Sequence, residues 1–529
     1  MRKLLLLFLV LSLIYLPESC KPQNKAASTE SSESDFHPDI NYRSHLPFDS
    51  TRVAPFFKSF PELAKYEKDV VSIYRKYKYN HIWFDKNGVI EFANSLNSKI
   101  TLMEAEGVSL KFPYEAKIDG IFIDEIENTL NQTDTELMLS CLFLFYAEKV
   151  YKGIGEETTT AIGWLLPRKQ ISYSDILDSY LTDPNLIEKD ERTLLPQYYK
   201  LRECLLKYRE IEKQGGWKSI DVDSKVKVYK PGDTAKVILQ IRERLFLTGE
   251  LPQDNKSNQY DTELLTAVKK YQMHNGFKPD SRISQRHIAA MNVTVGECIK
   301  KIMVNMERFR WVEPELAKAK ELIMVNIPSY NLKLMREGNI EFESPVVVGK
   351  VMNKTVIFSG KISYIVFSPY WNLPQSIINK EVKPGIAKNP NYLEAHNMEW
   401  NNGQVRQKPG KNNSLGLVKF IFPNSNDIYL HDTPSKSLFE RESRAFSHGC
   451  VRVGKPKELA WEILKNDENW TPKKIEAAMN AGKESSYTLK NKVPVYIGYF
   501  TAWVDQNGEL NFYEDVYKND ARLANIIMN

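Results

Sequence analysis

Around residue 320 the hydrophobic pattern of the chain changes period, and no single architecture accommodates both halves. "IKKIMVNMERFRWV", residues 299–312, carries apolar residues at three- and four-residue spacing, which stripes one face of a helix. "ELIMVNIPSYNLKLMREGNIEFESPVVVGK", residues 321–350, alternates Ile323, Val325 and Ile327, turns at Glu337-Gly338-Asn339 and resumes. That is the period of a strand. At 529 residues the chain also exceeds what one core fills, so two to four domains are expected. The expected fold class is multidomain α+β, with helices first and a mostly β domain last.

Residues 47–229 read as a helical scaffold. "FPELAKYEKDVVSIYRKY" and "DTELMLSCLFLFYAEKVY" have helical spacing, and Gly107, Gly153 and Gly155 mark helix ends. Aromatic residues such as Trp83, Phe84, Tyr146 and Tyr151 fit core packing better than a ligand groove. Cys141 and Cys204 sit in helix-like apolar settings. Buried free thiols are therefore expected rather than a disulfide among Cys141, Cys204 and Cys298.

Residues 230–295 form a second helical unit. "VILQIRERLFLTGELP" should end at Gly249, "YDTELLTAVKKYQMHNGFKPD" should start at Asp261 or Thr262 and stop at Gly276, and "SRISQRHIAAMN" gives a third helix. With "AVKKYQ" and the closing "AAMN", this unit resembles the small peptidoglycan-binding module that accompanies cell-wall enzymes. It departs at "KPDSRIS", where that family commonly has Asp-Gly.

A linking helix is expected over 296–320 and a sheet domain over 321–529. "KISYIVFSPYWNLP" and "VKFIFPNSNDIYLHD" continue the strands, and "VPVYIGYFTAWVDQNGELNFYEDVY" reads as a hairpin joined at Asn507-Gly508. The polar stretch of about 380–416, rich in Asn, Pro and Gly, reads as an inserted cap or lid.

The first twenty residues, "MRKLLLLFLVLSLIYLPESC", have a basic start and an apolar run too short for a first reading as a membrane span. They are expected to be a lipoprotein-type signal peptide with lipid attached at Cys20, followed by a flexible linker over 21–46. A membrane is thus an expected partner. The net charge of +5 without a long basic block makes nucleic acid an unexpected one.

Eight histidines and five cysteines are spread over the chain, yet "IYLHDTPSKSLFERESRAFSHGCVRV" gathers His431, His448 and Cys450. A cysteine attacks a carbonyl as thiolate, and a histidine neighbour can take the proton and hold the resulting ion pair. Full ionisation gains at most roughly thirty-fold in thiolate. Positioning and oxyanion donors must supply most of the rest, one lost donor costing about 10²–10³ in rate. Gly449 lets backbone N–H groups near Cys450 turn toward a tetrahedral oxygen. The residue types alone also admit a zinc site. Chelation and thiol alkylation separate the two.

His431, followed after fifteen residues by Ser447-His448-Gly449-Cys450-Val451-Arg452, resembles the signature of the L,D-transpeptidases. With "SPYWNLPQSI", "RQKPGKNNSLGLVKFIFPN" and "IYLHDTP", the sequence is similar to their large, multidomain Gram-negative subtype. The resemblance implies a helical scaffold, a wall-binding module and a mostly β catalytic domain with an inserted capping subdomain. It implies Cys450 as nucleophile and His431 as proton donor and acceptor, oriented by the Asp432 carbonyl. His448 and Gly449 would shape the site, the N–H groups of Gly449 and Cys450 forming the oxyanion hole. Ser447 and Arg452 would brace the loop or meet a substrate carboxylate. Tyr429, Trp371, Asn372, Arg406 and Asn412 are further expected substrate contacts. The implied partners are peptidoglycan stem peptides, a donor tetrapeptide and an acceptor stem, joined in a 3→3 cross-link with loss of D-alanine. Water as acceptor would give a carboxypeptidase. No metal or cofactor is implied, carbapenems should acylate Cys450, and the implied location is the periplasm, with the chain membrane-anchored.

Overall fold

The computed structural model describes residues 47–189 and 193–528. The expected signal peptide, its lipidation residue Cys20 and the linker over 21–46 lie outside the described residues.

Helices dominate up to residue 310. Gln132–Ala147 is buried along nearly its whole length and forms the axis of the first unit, packed on all sides by aromatic and aliphatic residues. One of its two carboxylates, Glu136, is fully buried and accepts from Tyr74 Oη at 2.7 Å and Ile82 N at 2.6 Å. The burial is tolerated because the donors replace its water. Cys141, Cys204 and Cys298 are free.

A separate small core unites Ile238, Ile241, Leu245, Leu264, Val268 and Ile288. Its helices are Lys236–Thr248, Thr262–His274 and Gln285–Met291. The first ends on Gly249 in the left-handed region (φ 90°), and the Asp261 side chain caps the second through Leu264 N. Helix Val295–Arg310 then runs back to the scaffold, where buried Arg310 donates to Val150 O at 3.0 Å and Glu106 O at 2.6 Å. Trp311 meets Trp164 edge to face, with ring centroids 4.9 Å apart.

The C-terminal sheet has nine strands. From one edge they are Ala445–Ser447, Asn339–Gly349, Val451–Val453, Leu430–His431, Val418–Ile421, Phe358–Phe367, Ser485–Gly498, Leu322–Asn326 and Asn331–Arg336. The long strand Asn339–Gly349 pairs through its first half with Asn331–Arg336 and through its second half with Val451–Val453. The sheet therefore closes on itself, leaving few open edges.

The C-terminal run departs from a simple hairpin. Its first part belongs to the long central strand Ser485–Gly498, and only Ala502–Val504 and Leu510–Phe512 pair across Asn507-Gly508. The insertion departs from a plain polar loop. It begins already at Trp371, holds a three-stranded sheet (Met398–Asn401, Gln404–Gln407, Trp371–Asn372) and short helices, and buries Leu373, Ile377, Ile378, Val382 and Val405.

Candidate active site

Strand Leu430–His431 lies between Val418–Ile421 and Val451–Val453. The register sets Lys419 opposite His431 on one side and Arg452 opposite it on the other. A buried imidazole thus stands in a row with two cations. His431 is 4% exposed, and its Nδ1 lies 2.5 Å from the carbonyl oxygen of Asp432. That contact fixes Nδ1 as the protonated nitrogen, leaving Nε2 as the basic one. Burial first, and Arg452 second, push the imidazole down to about 3.

The carbonyl of Asp432 is itself held in place. Its carboxylate accepts from Leu417 N at 2.9 Å and Thr433 N at 2.7 Å, and pairs with Lys436 at 2.5 Å. A Cβ on Gly416 (φ 63°) would stand 2.3 Å from that carboxylate, so glycine is required there.

The turn Ser447–Cys450 returns beside this strand. Ser447 is buried, and its Oγ donates to Cys450 O at 2.5 Å and accepts from Gly449 N at 3.2 Å. Gly449 has φ 124°, a conformation side chains oppose. Its carbonyl accepts from Thr355 Oγ1 at 2.7 Å, and Thr355 Oγ1 accepts from Gly349 N at 2.8 Å. Tyr517 Oη completes the brace, accepting from Thr355 N at 3.0 Å and donating to Gly349 O at 2.7 Å.

The Cys450 thiol donates to Asp427 O at 3.6 Å, not to the imidazole. Asp427 itself adopts the left-handed conformation (φ 52°). Burial raises the thiol, partly offset by hydrogen bonds from Tyr429 that favour the thiolate. The Tyr429 ring lies 5.7 Å from the His431 ring. At rest the surroundings therefore favour a neutral thiol and a neutral imidazole. The desolvation of both groups is the reason.

The remaining expected residues divide. Arg452 belongs to the row at His431, and its Nε is buried without a hydrogen-bond partner among the described residues. His448 is exposed on the turn, its Nε2 lying 3.5 Å from Glu381 Oε1 of the cap. The Gly449 N–H is already engaged by Ser447 Oγ, while the Cys450 N–H makes no hydrogen bond among the described residues. Trp371 and Asn372 form the cap strand that pairs with Gln407 and Arg406. Arg406 is bound to Glu399 at 2.6 Å and stacks on Tyr370 at 4.0 Å. Asn412 is exposed, and its carbonyl accepts from Gln407 Nε2 at 3.3 Å. Among the described residues, no group of three or more His, Cys, Asp or Glu is arranged to hold a metal ion. Sequence reasoning missed Thr355, Tyr517, Asp427 and Lys419. Only Lys419 carried a signal, as an isolated cation in the apolar run "VKFIF".

Residues 320–475 match the L,D-transpeptidase catalytic domain family, YkuD. The matched segment holds both His431 and Cys450. The structural unit extends past the matched segment, because strand Ser485–Gly498 sits in the middle of the same sheet. Residues 68–205 match the Scaffold domain family. A Haemophilus influenzae protein named "Putative L,D-transpeptidase" is 35% identical over 245 residues, covering 42% of this chain and 49% of that protein. The chain thus matches about half the length of this curated relative. Two solved structures are also similar. The L,D-transpeptidase from Mycobacterium smegmatis is 10% identical, covering 34% of this chain and 59% of its own, with TM-score 0.20. That from Stackebrandtia nassauensis is 15% identical, covering 53% and 97%, with TM-score 0.21.

Proposed function

We propose that this protein is an L,D-transpeptidase acting on peptidoglycan stem peptides, with Cys450 as nucleophile and His431 as general base. The supporting observation is that a tautomer-fixed His431 sits on a strand paired with Val451–Val453, the strand that the Cys450 turn leads into, within the matched segment.

Cys450 Sγ leaves Asp427 O and turns toward the imidazole. His431 Nε2 takes the thiol proton as sulfur attacks the carbonyl joining the third stem residue, a diamino acid, to terminal D-alanine. The Cys450 N–H, joined by Gly449 N–H once it releases Ser447 Oγ, donates to the developing oxyanion. Collapse breaks the amide bond, and His431 returns the proton to the departing D-alanine amine. The thioester then receives the side-chain amine of a neighbouring stem, forming the 3→3 amide and restoring the thiol. His448 and the cap, joined at Glu381, shape the donor side. Export and lipid attachment at Cys20 belong to the same proposal, supported by the sequence of residues 1–20.

Intact-protein mass measurement after mixing with a tetrapeptide stem or a penem tests it. An adduct confined to Cys450, absent from Cys450→Ala, is expected. A wild-type chain left unmodified by both reagents overturns the assignment.

A further inference from the structure

The row that holds His431 continues past it. Lys419 is in register with His431, and Val366 on the next strand is in register with Lys419. Residues paired in this way project from the same face of a sheet. The order across the sheet is therefore the Cys450 turn with Arg452, then His431, then Lys419. The Lys419 side chain is 18% exposed and reaches Tyr370, the residue before the cap.

The protein matches the Lys419 ammonium poorly. It carries three protons, yet its one side-chain hydrogen bond among the described residues goes to Tyr370 O at 3.5 Å, the outer limit for such a contact. Glu484 Oε2 stands 3.9 Å away, beyond hydrogen-bond reach, and already accepts from Tyr370 N at 2.7 Å. Burial pushes the ammonium down, and Glu484 offsets this only in part. A largely buried cation with so few acceptors carries a desolvation cost that a ligand's anion relieves.

The reaction brings an anion to this place. While sulfur holds the acyl carbon, the departing nitrogen must reach His431 Nε2 to receive its proton. The rest of the departing residue then lies on the far side of the imidazole from Cys450. In a residue that ends a peptide, a carboxylate follows two bonds beyond that nitrogen. The next cation along the row is Lys419. Arg452 stands on the opposite side of His431, on the strand that Cys450 leads into, and so faces the acyl half.

We propose that Lys419 binds the terminal carboxylate of the residue that leaves, and thereby selects peptide ends over interior amide bonds. This assignment rests on the reading of a stem peptide as donor. An interior bond presents a neutral carbonyl at the same position and leaves the ammonium unmatched.

The test follows the rate of Cys450 acylation, by intact-protein mass, with two forms of one tetrapeptide stem. One ends in a free carboxylate and the other in a primary amide. In the wild type the amide should react roughly ten- to a hundredfold more slowly, the range set by a hydrogen bond to a charged group. Lys419→Met should slow the free acid by a similar factor and change the amide far less. Lys419→Arg, which keeps the charge, should restore most of the preference. Equal rates for acid and amide in the wild type overturn the proposal. So do equal losses for both peptides in Lys419→Met, the mark of a structural role. In either case the Cys450 adduct still forms, and the nucleophile stands. A wild type acylated by neither peptide removes the stem-peptide reading, and this assignment with it.

Discussion

Arg452 and His431 face each other across neighbouring parallel strands, so the imidazole carries a guanidinium as its direct register partner. Lys419 faces it from the other side, Cys450 and Tyr429 lie beside this row, and the Asp432 carboxylate, paired with Lys436, follows His431 in the chain. Burial and Arg452 together hold His431 near 3, so the neutral base persists well into acid. Replacing Arg452 with Met removes the larger of the two cationic effects and raises the imidazole. The base then protonates earlier as pH falls. The acid limb of the Cys450 acylation rate should move to higher pH in Arg452→Met, and by less in Lys419→Met. Rate profiles with a penem check this, and an acid limb unchanged in both variants would refute the electrostatic account.

Thr355 ties two glycine peptides together, donating to Gly449 O and accepting from Gly349 N. Thr355→Val keeps the shape but leaves both buried groups unpaired, at a cost of about 1–3 kcal/mol. A melting temperature lowered by several degrees is expected. A fall in acylation rate should accompany it, measured well below the transition. Tyr517→Phe, which loses Gly349 O and Thr355 N but not the Gly449 contact, should reduce stability with a smaller rate effect.

Where bonding was local, the sequence showed it. The period change near residue 320, the Gly338 turn, the Asp261 cap and the Ser447–Cys450 turn depend on residues a few positions apart. Thr355 was illegible because its partner Gly449 lies 94 positions away and nothing in "MNKTVIF" marks a hydrogen-bonding role. The cap hid its order behind polar composition, since five buried side chains suffice for its core. Arg406 is an expected substrate contact whose ion pair the sequence does not show. Cross-strand register brought Glu399 opposite it, a pairing that only the folded hairpin reveals.

The two histidines should respond very differently to substitution. His431 is buried and aimed by a carbonyl, whereas the side chain of His448 is 44% exposed and meets Glu381 only at 3.5 Å. Exposed ion pairs contribute little, about 0–1 kcal/mol. His431→Gln should lower the acylation rate by about 10²–10⁴, the usual contribution of a general base. His448→Gln and Glu381→Gln should each change it by less than about tenfold, given so weak a pair. Stopped-flow acylation distinguishes them, and the reverse order would transfer the base role to His448.

His431 also makes folding stability depend on pH, with a definite sign. Its folded value of about 3 lies below the ordinary 6.5 of an unfolded chain. Between those values the unfolded state binds the extra proton, so stability falls as the pH drops from about 6.5 toward 3. The displacement corresponds to a loss on the order of 4 kcal/mol once the pH reaches the folded value. His431→Gln cannot take up that proton in either state. Its unfolding free energy should therefore decline less between pH 7 and pH 4 than that of the wild type, by about 3 kcal/mol. Urea unfolding at the two pH values measures the difference. Equal declines in the two proteins would mean that the imidazole is not held neutral by its surroundings, and the general-base assignment would lose its electrostatic support.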